Sequence, residues 1–144
     1  MPLVDRLLIL AIAAQVLLTL FLLVRLGFER VPRFSRGEVD TDALAVDSSG
    51  WHHQARLLSN SFDSQFQLPV LFFVGALLPL QLGLIDWFDV VLGWLFVGLR
   101  FAHAAIHITT NNVPRRFAVF TAGLAVLAVF WLWLVIRILI LPST

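Results

Sequence analysis

The chain of 144 residues is 60% hydrophobic and only 13% charged, against about 25% charged in an ordinary soluble domain. With a mean hydropathy of +0.92 and a formal net charge of +1, it reads as an integral membrane protein without the basic surface that nucleic acid requires. It has no cysteine, no tyrosine and no lysine, which excludes disulfides, a thiolate nucleophile or metal ligand, a phenolic acid and Schiff-base chemistry.

Residues 3–26 form an apolar run interrupted only by Asp5, Arg6, Gln15, Thr19 and Arg25. A spanning helix needs about 20 residues and a signal-peptide core only about 7–15, so the run reads as a first, uncleaved transmembrane helix. Gln15 and Thr19 lie one turn apart on one face, suited to a contact with another helix. Residues 27–50 change to a polar connector carrying Arg30, Pro32, Arg33, Arg36, Glu38, Asp40, Asp42 and Asp47. Gly27 is placed to stop the first helix, and Asp47 or Ser48 to cap the second.

Residues 51–82 are long enough for a helix of roughly 45 Å, more than a hydrocarbon core of about 30 Å requires. The polar residues gather in its first half. Arg56, Asn60, Asp63 and Gln67 fall at i, i+4, i+7 and i+11, one stripe of a helix, with His53 one turn earlier. Pro69 is expected to kink this helix where the stripe ends.

A short turn with Asp86 and Asp89, where Trp87 and Phe88 suit a headgroup belt, leads to the third span, 88–110. Here Arg100, His103, His107 and Thr110 or Asn111 again share one face. Asn112 is a candidate N-cap and Pro114 sits in the first turn of the last span, 115–141. Trp131 and Trp133 precede Arg137 near its far interface.

Four spans put Arg25, Arg30, Arg33, Arg36, Arg115 and Arg116 on one side and leave Arg6 and Arg137 on the other. The positive-inside rule then places both termini outside and both polar connectors in the cytoplasm. The fold class expected is all-α, a four-helix transmembrane bundle in a single domain over 1–144.

Arg100 lies about 11 residues, roughly 16 Å, from the cytoplasmic end of its helix, and Asp63 lies at a comparable depth in the second span. Either charge alone would be costly in hydrocarbon, so the two are expected to pair. Asn60, Gln67, His103 and His107 would complete a polar network opening to the cytoplasm. Three further readings stand beside it. The network could do no more than set helix register. His103 and His107 at i, i+4 could share a metal ion with Asp63, but no third histidine or cysteine is at hand and Arg100 repels cations, so no metal site is assigned. Ser59, Ser61 and Ser64 lack the patterned histidine and acid of a nucleophilic triad. Arg116, near a helix N-terminus, is well placed to bind an anion.

Arg100-x-x-His103-x-x-x-His107, followed by Arg116 and Phe120, resembles the motif of the MAPEG family, the membrane-associated proteins in eicosanoid and glutathione metabolism, and in particular its bacterial members. The family enzymes carry an arginine, a histidine three on, a tyrosine four beyond it, an arginine nine further and a tyrosine four after that. The segment 60–69, with Phe72 and Phe73, is similar to the family's second-helix motif. His107 and Phe120 stand here where the enzymes have tyrosines, and the second-helix acid is out of its usual register before Pro69.

The resemblance implies a homotrimer in a bacterial inner membrane, with glutathione bound between subunits near the cytoplasmic side. Arg116 would stabilise the glutathione thiolate. Arg100, His103, His107, Arg56, Asn60, Asp63 and Gln67 would line the ligand site, and lipophilic substrates or lipids would enter from the bilayer. Two readings follow. One is a glutathione-dependent membrane enzyme conjugating lipophilic electrophiles or reducing lipophilic peroxides. The other is a non-catalytic membrane protein of the same fold that binds a lipid or serves as an assembly subunit.

Overall fold

The computed structural model describes residues 1–42 and 48–140; Asp47 and Leu141, which the sequence assigns to a helix cap and a helix end, lie outside them. Five α-helices make up the described residues: α1 (Leu3–Ser35), α2 (His53–Asp63), α3 (Leu68–Leu82), α4 (Trp87–Ile108) and α5 (Val113–Ile140), with no strand among them. Taken across the junction of α2 and α3, they give four stretches long and apolar enough to cross a membrane: Leu3–Ser35, His53–Leu82, Trp87–Ile108 and Val113–Ile140.

The first helix runs past Gly27 to Ser35. Gly27 lies within the helix, which continues through Pro32, and the stop comes at Gly37. Gly37 takes a φ of +67°, the left-handed conformation that ends helices, while its N–H and that of Glu38 return to the carbonyls of Phe34 and Arg33 at 3.1 Å. The cap of α2 is His52, whose Nδ1 accepts from the Gln54 N–H at 3.4 Å; Ser48 lies in a short 3₁₀ turn, Ser48–Gly50.

The second span is broken rather than kinked. After Asp63 comes a 3₁₀ turn, Ser64–Phe66, and Gln67 leaves helical backbone altogether with φ −99° and ψ −103°. Pro69 sits in the first turn of α3, where its missing N–H costs nothing. The freed carbonyls are taken up by side chains. Ser64 Oγ and Gln65 Nε2 both donate to the Ser61 carbonyl at 2.8 Å.

Two apolar cores hold the bundle. At one end Leu8, Ala11, Phe72, Ala76, Phe96, Leu127 and Phe130 interlock, with the Phe72 ring 4.9 Å from Phe96 and 6.1 Å from Phe130. Toward the other end Leu18, Leu22, Leu26, Leu58 and Ala104 form the second core. Gly93 brings α4 close to α1: a Cβ there would meet Leu8 Cδ1 at 2.8 Å. Between the cores Gln15 Nε2 donates to Gln65 Oε1 at 3.0 Å, both residues buried. Gln15 therefore makes the helix-to-helix contact its position suggests, while Thr19 turns back to the Gln15 carbonyl.

At the opposite end from the polar connector, Arg137 closes a knot that the sequence reading left unpaired. It meets Asp89 Oδ1 at 2.8 Å and Asp86 Oδ2 at 3.3 Å and donates to the Leu84 carbonyl. Asp86 and Asp89 cap α4 reciprocally, and Trp133 Nε1 donates to Asp86 at 3.2 Å.

Candidate functional site

Arg100, His103 and His107 occupy the inward face of α4 and are buried, Arg100 to 1% exposure. The pairing expected for Arg100 does not form. Its Nη2 donates to the carbonyl and to Oγ of Ser64, each at 3.0 Å, and Asp63 is exposed. The physical reason is the break. Ser64 closes α2, and its carbonyl, whose backbone donor is Gln67 N–H at 3.5 Å, carries the partial negative charge of a helix C-terminus. That end meets the guanidinium in place of a carboxylate. Nε and Nη1 of Arg100 have no hydrogen-bond partner, nor do Nδ1 of His103 and His107.

Arg56, Asn60, Asp63 and Gln67 are all exposed; the first three share the outward side of α2, and Gln67 lies past its end, beyond the break. The inward side of the second span carries Ala55, Leu58, Ser61, Ser64 and Gln65. Ser64 and Gln65, which link Arg100 to Gln15, were missed as site residues. Their signal was present as Ser61-x-x-Ser64-Gln65, polar residues at i, i+3 and i+4 ahead of Pro69.

The turn between α4 and α5 places Arg116. Asn111 adopts a φ of 45°, a left-handed conformation that asparagine tolerates better than most residues. From there its Oδ1 accepts from Arg116 Nη1 at 2.7 Å. Asn112 caps α5, its Oδ1 accepting from the Arg115 N–H at 3.0 Å. Arg116 thus stands half-buried in the opening turns of a 28-residue helix. It lines a cleft of about 190 Å³ with His103, Val113, Phe117 and Phe120. The His103 ring lies 5.9 Å from Phe120 and 5.8 Å from His107. Arg115 is exposed.

The structure therefore gathers Arg100, His103, His107 and Arg116 at one end of the bundle, and leaves Arg56, Asn60, Asp63 and Gln67 outside. Among the described residues no carboxylate pairs with Arg100 or Arg116, and no three His, Asp or Glu side chains could together hold a metal ion. Such an arrangement favours an anion: two guanidiniums, a helix N-terminus and two imidazoles, with apolar walls from Val113, Phe117 and Phe120.

No curated protein and no solved structure matches the chain. The MAPEG family matches it over residues 8–136, which takes in the four spans nearly whole and every residue of the cleft. The chain is an integral membrane protein that belongs to the MAPEG family.

Proposed function

We propose that the cleft binds the anionic thiol glutathione and that the protein is a glutathione-dependent membrane enzyme acting on lipophilic electrophiles or peroxides. The observation that carries the reading is a pair of arginines that no carboxylate among the described residues meets, one of them at the start of α5 and open to the cleft. Arg116 and the N-terminal end of α5 would hold the sulfur as thiolate, lowering a thiol pKa from about 8.5. Arg100 anchors the wall behind it through Ser64, and the apolar side of the cleft would receive the lipophilic partner.

The outward stripe on α2 supports a homotrimer. Asn60, Asp63 and Gln67 belong to a stretch apolar enough to cross a membrane yet face out of the subunit. Polar groups in that position are stabilised by meeting another subunit rather than lipid. In the trimer the stripe of one copy would complete the cleft of the next, so that Arg56, Asn60, Asp63 and Gln67 reach the ligand from the neighbouring subunit. The bundle end bearing the arginine-rich connector would face the cytoplasm of a bacterial inner membrane. Ser35→Cys, in a chain with no other cysteine, should resist labelling by impermeant reagents on intact cells; labelling would reverse the orientation.

The test is calorimetric titration of the detergent-purified protein with glutathione, repeated on Arg116→Ala. Binding heat that Arg116→Ala abolishes is expected. No heat at millimolar glutathione would leave the second reading, a non-catalytic protein that binds a lipid or serves in assembly. One observation favours that reading: position 107 is histidine and position 120 phenylalanine, so the cleft lacks the hydroxyls of the tyrosines that the family's enzymes have at these two positions.

A further inference from the structure

A thiol that becomes a thiolate in the cleft must send its proton elsewhere, and neither arginine accepts one, since guanidinium stays protonated across the physiological range. Two groups in the cluster can. His103 lines the cleft beside Arg116. His107 lies one turn nearer the end of α4, its ring 5.8 Å away and edge-on to that of His103. Both are buried on the same inward face, and the Nδ1 atoms of both are held by no hydrogen bond, so neither ring is locked into one tautomer by a neighbour. Just beyond His107 the helix ends at Ile108 and the chain reaches the exposed residues Thr109 and Thr110.

We propose that His103 and His107 form a proton path from a thiol ligand bound in the cleft to the water at that end of the bundle; the proposal rests on the glutathione reading given above. The S–H bond breaks, its electron pair stays on sulfur as thiolate, and the proton passes to the His103 imidazole. That imidazolium adds a third positive charge beside Arg100, three residues back on the same helix, and Arg116 across the cleft. No carboxylate among the described residues pairs with either arginine. Repulsion within the cluster keeps the imidazolium short-lived, and the proton leaves by way of His107 to solvent. Both imidazoles end neutral, one proton appears in water, and the thiolate remains opposite Arg116.

Stopped-flow mixing of the purified protein with glutathione tests this, following thiolate absorbance and, with a pH indicator in weak buffer, proton release. Wild type should release one proton per thiolate formed. His103→Gln and His107→Gln should each slow both signals by about 100-fold or more. The double variant should be no slower than His103→Gln, and added imidazole should restore much of the His103→Gln rate. His107→Tyr is the second variant at that position, because a phenol with a pKa of about 10 keeps its proton at neutral pH; it should be slow as well. Thiolate forming at the wild-type rate in these variants overturns the path while glutathione binding stands. Binding heat without thiolate overturns the path and the thiolate chemistry. No heat in wild type overturns the glutathione reading and the path with it.

Discussion

A guanidinium buried away from any carboxylate is neutralised by something else or it is not tolerated. At Arg100 that role falls to the closing turn of α2, where the Ser64 carbonyl and hydroxyl accept from one nitrogen. Arg100→Met should therefore lower stability by about 1–3 kcal/mol through the acceptors it orphans, read as a lower thermal midpoint in detergent. Asp63→Asn should leave the stability of the single subunit unchanged, since Asp63 makes no ion pair with any described residue; a matching loss would restore the direct pairing. Arg137 is the opposite case. Asp89 beneath it is fully buried, so Arg137→Ala strands a carboxylate and should cost about 3–5 kcal/mol. Both effects are measurable in the same melting experiment. From composition alone Arg100 and Arg137 look alike. What separates them is which backbone ends and which carboxylates surround them, and that is information carried by helices distant in sequence.

At the scale of the element, the second span shows where periodicity informs and where it misleads. The stripe at 56, 60, 63 and 67 was legible as one face because helical spacing is rigid. Which way the face points was not legible, since Leu57, Leu58 and Phe62 flank it and either side could go inward. Pro69 announced an irregularity, but the chain breaks earlier, at Ser64–Gln67, because Ser64 and Gln65 supply replacement hydrogen bonds there. The turn at 109–112 was easier to read: Asn112 caps and Pro114 opens the helix, as local chemistry dictates. Gln65→Leu should remove the bond to Gln15 and lower stability by about 0.6–1.7 kcal/mol, the range for interhelical bonds in membranes. An unchanged melting curve would mean the break is held without that pair.

Over the whole molecule, fewer than half of the residues in any span are buried within the chain; the most hydrophobic windows reach 28%, 39%, 44% and 22%. The remaining apolar surface needs no further account in a bilayer, but the polar stripe on α2 does. If the stripe of one copy meets the cleft of the next, Asn60→Cys combined with Phe117→Cys in the cleft wall should cross-link between subunits under mild oxidation in native membranes. Monomers alone would show that the stripe faces something other than a second copy. The four-span, all-helical architecture was legible from hydropathy because a spanning segment advertises itself by length. The cleft was legible only in part. The α4 face and Arg116 follow from spacing, while Ser64, Gln65 and Asn111 act through partners up to 50 residues away.

The bond between Arg100 and Ser64 also bears on how the chain enters the bilayer in the first place. An arginine near the middle of an isolated helix opposes insertion by about 2.5–3.5 kcal/mol, and the break in the second span leaves backbone groups that lipid cannot satisfy. Each segment holds the group the other lacks, and only the short turn 83–86 separates them. Insertion as a hairpin therefore costs less than insertion of one span after the other, because the arginine that obstructs one helix satisfies the broken end of its neighbour.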